Sequence, residues 1–207
     1  MKQKAPRNKT IDLSVEEGKA YLRRCLIAEG AEAEGLRLSK EELLDRVLLG
    51  DAFSLLPLMP DKFVDLLIVD PPYNLEKEYH GERFKKLSDA EYAAYTRRWL
   101  SAAAHMLKDD ASVYVCCDWR SSLVVADCLK EWFILRNRIT WQREKGRGAK
   151  KNWKNGMEDI WFATVGRDYV FHIEDVMTRR RVIAPYRKEG APKDWEETAE
   201  GRFRNTC

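Results

Sequence analysis

Apolar positions in this chain switch between short unbroken runs and helical spacing, and the switches mark its elements. Ser14 with Glu16 and Glu17 caps a helix predicted over residues 14–28. Residues 29–35 are rich in Gly, Ala and Glu and read as a linker, and Ser39-Lys40-Glu41-Glu42 is the capping box of a short helix. Residues 46–49 make a short strand ending at Gly50-Asp51, and residues 53–58 a helical turn stopped by Pro60. Phe63-Val64-Asp65-Leu66-Leu67-Ile68-Val69 is an apolar run of strand length. A polar loop at 79–87 precedes Ser88-Asp89-Ala90-Glu91, which caps a helix reaching about residue 107. Tyr92, Tyr95, Trp99 and Ala103 share one face of that helix. Strands at 112–117 and 133–141 flank a helix at 121–130. Residues 158–164 and 169–172 read as a strand or hairpin around Val165-Gly166, and the tail from Met177 is charged and poorly patterned. Alternating strands and helices predict an α/β sheet, with antiparallel pairing near its end.

What ends the 63–69 run carries the chemistry. Asp70-Pro71-Pro72-Tyr73 follows at once, then Asn74. An apolar run halted by two prolines reads as a buried parallel strand that stops abruptly. Ligands of open α/β sheets bind beyond the carboxyl ends of strands. Each proline fixes φ and lacks an N–H, so the turn is stiff. Its carbonyls and the Asp70 carboxylate can converge as acceptors on one exocyclic amine, while the Tyr73 ring lies on a flat heterocycle. Such a site suits a base bearing an NH2 group and turned out of a helix.

Gly50-Asp51-Ala52, Leu55-Leu56, Met59-Pro60-Asp61, Val64-Asp65-Leu66 and Asp70-Pro71-Pro72-Tyr73-Asn74-Leu75 together resemble the amino-methylating DNA methyltransferases. The order, with the catalytic motif near the N-terminus, is similar to the β subgroup. The resemblance implies a Rossmann-like α/β sheet, partial here, with helices on both faces. It implies methyl transfer from S-adenosylmethionine to N6 of adenine in double-stranded DNA. Adenine is favoured because the cytosine-directed members more often carry Ser at the position of Asp70. N4-cytosine methylation and a silent DNA-binding or specificity subunit are the alternatives. By the same resemblance, Asp70, Pro71, Pro72 and Tyr73 are catalytic, and Asp51, Ala52 and Asp70 border the cofactor. Asp51 is expected at another strand end of the same sheet, where it can also cap the turn after it. The family's Phe-x-Gly-x-Gly-like cofactor loop is not found before Cys207. The expectation is therefore an incomplete cradle, with a complementing chain or a homo-oligomer as partner. A helical extension over 1–38 and a partial catalytic domain over 39–207 complete the expected layout.

Charge adds one further surface. Net charge is only +3 across 207 residues, so overall charge does not establish a nucleic-acid partner. Local clustering does more. A basic loop expected at about 142–156 carries Arg143, Lys145, Arg147, Lys150, Lys151 and Lys154, with Trp153 interleaved, and is read as a DNA-phosphate contact. Arg179-Arg180-Arg181 with Arg187-Lys188 forms a second cluster. Trp153 and Trp161 are candidates for the other face of a base pocket. The five cysteines show no metal spacing and fit free thiols of a reducing cytosol, and the three histidines form neither a triad nor a metal set. No metal, no signal peptide and no membrane span is expected, which points to a cytoplasmic protein.

Overall fold

A computed structural model describes residues 13–27, 37–79, 82–149, 151–183 and 186–206. The chain divides into two units, Met1–Tyr169 and Val170–Cys207.

The first unit starts with α1 (Val15–Leu22), β1 (Leu26–Ile27), α2 (Lys40–Leu43), β2 (Leu48–Leu49) and α3 (Ala52–Leu55). α1 and α2 each begin with a complete capping box, Ser14 with Glu17 and Ser39 with Glu42. α1 ends six residues short of the predicted 28, because the chain turns after Arg23 and Leu26–Ile27 pairs in parallel with Leu48–Leu49. That pairing is a two-stranded sheet of its own, so Asp51 does not stand at an end of the main sheet as the sequence led us to expect.

The main sheet comprises β3 (Val64–Val69), β6 (Leu107–Cys117), β7 (Ile134–Ala149) and β8 (Asn152–Thr164), in the order β3-β6-β8-β7. Between β3 and β6 lie the hairpin β4 (Lys77–Tyr79) and β5 (Glu82–Phe84), where a loop was predicted, and helix α4 (Asp89–Ala104). Helix α5 (Ser122–Lys130) separates β6 from β7. β3 and β6 run parallel, Ile68 opposite Tyr114 and Val69 opposite Val115, while β8 is antiparallel to both β6 and β7. The fold is thus α/β with a Rossmann-like parallel pair and an antiparallel end, as expected.

The larger core lies on one face of the main sheet. Ala111, Val113, Val115 and Cys117 of β6 alternate inward and meet Tyr92, Trp99 and Leu100 of α4 and Val125, Cys128 and Leu129 of α5. Leu100, Val113, Val115 and Leu129 are completely buried. Cutting Leu100 back to Ala would cost about 2–5 kcal/mol. On β3, Leu67 and Val69 join this core, whereas Leu66 and Ile68 point the other way and stay 52% and 66% exposed. β3 pairs only with β6, so its other edge is open among the described residues.

The predicted basic loop at 142–156 is instead part of a long hairpin. Gln142 pairs with Met157, Arg147 with Asn155 and Ala149 with Asn152, with register shifts between Gln142 and Arg147 and again before Ala149. Glycines at 146 and 148 signalled a flexible loop in sequence; in a ladder they sit beside bulges, where glycine is at home. Gly166, in the turn after β8, comes so close to the Asp109 carbonyl that a Cβ would lie 2.5 Å from that oxygen. The second unit carries β9 (Thr178–Arg181), β10 (Arg187–Lys188), β11 (Ala191–Pro192), β12 (Glu196–Thr198) and β13 (Gly201–Thr206), as one three-stranded sheet, β12-β13-β9, and one hairpin. The unpatterned tail is therefore strand-forming.

Candidate active site

The site grows from the carboxyl end of β3. Val69 is the last paired residue, and Asp70 follows, exposed. Pro71 is buried and Pro72 exposed, so the turn is anchored on one side and open on the other. Tyr73 is half-buried, with the Asp70 carboxylate close enough to act on its phenol. Burial first, then the charges of Asp70, Glu158 and Cys116, hold the Tyr73 phenol well above its ordinary range. It therefore stays a donor at any physiological pH. The same group of neighbours acts on Cys116, whose thiol is pushed up by burial, then by Asp70 and Glu158.

The turn is clamped from below. Leu75 N–H bonds the Tyr73 carbonyl at 2.6 Å, closing a three-residue turn. Asn74 is buried; its amide donates to the Leu87 carbonyl at 2.9 Å and accepts from the Leu87 N–H at 2.7 Å. The Tyr92 hydroxyl donates to the Pro72 carbonyl at 3.1 Å.

β8 brings a second set of acids to the same edge. Cys117 lies opposite Asp159, and Glu158 comes next along the strand. Glu158 is ion-paired with Arg143 at 2.7 Å, and Arg138 approaches Asp159 at 3.8 Å. Asp118, after β6, accepts from Ser121 N–H, Ser121 Oγ and Arg120 N–H and is occupied in starting α5. Cys117 is buried as a neutral thiol, its pKa pushed up to about 12 by its burial.

Asp51 caps α3, with Oδ2 accepting from Ser54 N–H at 3.1 Å and Ser54 Oγ at 3.2 Å. It lies beside an aromatic path to the catalytic turn. Phe53 packs edge-on against Tyr95, Tyr95 stacks on Tyr92, and Arg98 covers Phe53 at 3.9 Å. Ala52 is exposed at the first turn of α3.

The remaining sequence candidates fall elsewhere. Trp161 donates its indole N–H to the Ser122 carbonyl and Oγ at 3.0 and 3.1 Å, which fixes it against α5 as a packing residue. Trp153 is 96% exposed near the hairpin tip. Lys151 is exposed there too; Lys150 lies outside the described residues, and the backbones of Lys145, Arg147 and Lys154 belong to the hairpin strands. Glu158, Cys116 and Tyr92 were not singled out as site residues from sequence. Nothing in one strand residue signals Glu158, and Tyr92 reads as core because its ring is core; only its hydroxyl reaches the turn.

A parallel strand delivers an acidic, aromatic Pro-Pro turn to an edge lined by further acids in an α/β fold. Comparison gives the family. The profile of the N6/N4 methyltransferases, described as DNA methylase, matches residues 64–201, and the chain belongs to that family. It is 29% identical over 128 residues to the type II methyltransferase M1.MboII of Moraxella bovis, covering 61% of this chain and 48% of that protein. It is 24% identical over 134 residues to the type II methyltransferase M.HpaI of Haemophilus parainfluenzae, covering 63% and 42%. Among solved structures it is similar to the cytosine-N4-specific PvuII DNA methyltransferase, with a TM-score of 0.53 at 17% identity over 62% of this chain and 52% of that one; this is a likeness of fold. The chain spans about half the length of the curated relatives it matches. Among the described residues no helix is long and apolar enough to cross a membrane, and no cluster of His, Cys, Asp and Glu has the arrangement of a metal site.

Proposed function

We propose that this chain carries the base-holding and catalytic part of an S-adenosylmethionine-dependent DNA methyltransferase acting on N6 of adenine. The observation that supports this best is the Asp70–Tyr73 pair on a clamped Pro-Pro turn at a parallel strand's carboxyl end. Asp70 is exposed and accepts from the target amine. Drawing an N–H out of the ring plane localises the nitrogen lone pair, so the amine becomes a nucleophile where Asp70 orients it. Tyr73 places its ring against the extruded base, worth about 1–3 kcal/mol by analogy with single-strand stacking. Asp70 in place of the cytosine enzymes' more usual Ser favours adenine.

Bound S-adenosylmethionine supplies a methyl group activated by its sulfonium. Asp51, Ala52 and Asp70 are the residues that would hold it, and they fit one flank of such a cofactor. Asp51 spends Oδ2 on Ser54, and Oδ1 accepts no hydrogen bond among the described residues. The aromatic rings of Phe53 and Tyr95 stand beside it. Arg143, Lys145, Arg147, Lys150, Lys151, Trp153 and Lys154 meet double-stranded DNA, mainly through phosphates. The open β3 edge with Leu66 and Ile68 favours a further chain, or a second copy, against this strand.

The test is the product. DNA from methylation-free cells expressing the protein, with its complementing chain where one is required, is digested to nucleosides and weighed by mass spectrometry. N6-methyladenine is expected. N4-methylcytosine in its place would reassign the base, and neither product would remove the enzymatic reading.

A further inference from the structure

The catalytic turn is tied to the start of α4 at two places, on either side of Tyr73. Asn74 is held by Leu87, the residue before the Ser88 cap, through a reciprocal amide pair. The Pro72 carbonyl is held by the Tyr92 hydroxyl, from the first turn of α4, at 3.1 Å. Tyr92 is only 3% exposed, and its ring is fixed by stacking on Tyr95. The helix end that carries it is itself fixed: Ser88 and Glu91 close a capping box, and Tyr92 N–H bonds the Ser88 carbonyl at 2.9 Å. Burial keeps the Tyr92 phenol protonated far beyond neutral pH, so it remains a donor.

Core packing alone does not call for that hydroxyl. A buried phenylalanine would fill the ring's space, and a buried hydroxyl has to find an acceptor. The acceptor it finds is a peptide carbonyl one residue before Tyr73. Proline at 71 and 72 removes the N–H groups with which the turn could hold itself, so an outside donor is the available means of setting this peptide plane. The Tyr73 carbonyl is already taken by Leu75 N–H. With Tyr92 on Pro72, the acceptors of the turn left open among the described residues are the Asp70 carboxylate and the Pro71 carbonyl.

We infer that Tyr92 is a positioning residue for methyl transfer, its hydroxyl fixing the Pro72 peptide so that Asp70 and Tyr73 meet the target base at a set angle. Tyr92 does not touch the base. It acts through the turn, and the inference rests on the function proposed above. Misplacement of reacting groups by about 1 Å can cost a hundredfold in rate with little change in binding.

The experiment compares the wild type with Tyr92→Phe, which keeps the ring and removes only the donor. Hydrogen exchange of the backbone amides of Tyr73, Asn74 and Leu75 reads the clamp directly, without DNA or cofactor. Faster exchange at these amides, with the α5 and β6 amides unchanged, is expected. Steady-state kinetics with DNA and S-adenosylmethionine read the consequence: kcat falls about ten- to a hundredfold, while KM for either substrate stays within about twofold. Unchanged exchange at Tyr73–Leu75 overturns the clamp. Faster exchange with unchanged kcat overturns the positioning role and leaves Tyr92 a packing residue. A wild type that methylates no DNA even with its complementing chain present removes the proposed function and with it the positioning role, and the exchange arm still decides the clamp.

Discussion

Arg143 Nη1 lies 2.7 Å from Glu158 Oε1, and Glu158 places its charge beside the Tyr73 phenol and the Cys116 thiol. A basic residue of the hairpin arm thus compensates an acid of the candidate base pocket. Arg143→Ala leaves Glu158 uncompensated near Asp70, where a DNA phosphate or a bound base meets extra negative charge. The expected result is an affinity loss of about tenfold in fluorescence anisotropy, largely restored in the Arg143→Ala, Glu158→Gln double variant. The coupling should fall in the range of about 0.5–3 kcal/mol. Strictly additive losses would show that the two residues act apart.

The tip of the arm makes a different prediction. Lys151 and Trp153 are exposed, and Lys150 and Lys154 flank them in sequence. Neutralising Lys150, Lys151 and Lys154 together should weaken DNA binding evenly across sequences. Each lost phosphate contact should flatten the plot of log affinity against log salt by about 0.9. A slope equal to the wild type's would return these lysines to solvent.

Helix α4 carries both Tyr92 and the core residues Trp99 and Leu100, so its start is worth testing by pH. Hydrogen bonds from the Ser88 hydroxyl and backbone hold the Glu91 carboxyl below the usual carboxylate range. A carboxyl lowered in the folded state adds stability above its unfolded pKa and loses it as pH falls through the folded one. Thermal melts should therefore show Glu91→Gln costing stability near neutral pH and costing progressively less as the solution is acidified through the carboxylate range. Ser88→Ala should cost about 1 kcal/mol near neutral pH, or about 2–4 °C in Tm. A Glu91→Gln deficit that does not shrink on acidification would remove the charge from the account.

Much of this was legible in sequence because it is written in local chemistry. The helix caps at Ser14, Ser39 and Ser88, the 63–69 run and the stop at Pro71-Pro72 each specify backbone geometry by themselves, and the structure places elements there. What escaped depends on pairing. Arg179-Arg180-Arg181 has no apolar alternation, yet its backbone pairs with Asn205, Arg204 and Phe203. Gly146 and Gly148 signal flexibility until a partner strand is present. Asp51 was read as both a cap and a strand-end residue; the cap is found, but the strand before it pairs outside the main sheet. Glu158 enters the site only because β8 runs antiparallel to β6, which no single segment announces.

The central claim is that Asp70 orients an adenine amine for methylation, and the most direct measurement is a methylation map of the genome that encodes this protein. Single-molecule sequencing would compare the wild type with a chromosomal Asp70→Ala variant, in which any complementing chain is supplied by the cell. Because the carboxylate is needed in the transition state more than for binding, one N6-methyladenine motif should disappear while purified Asp70→Ala protein binds DNA with nearly unchanged affinity. Persistence of every methylated motif, with the variant present at wild-type levels, would contradict the role of Asp70 and the function built on it.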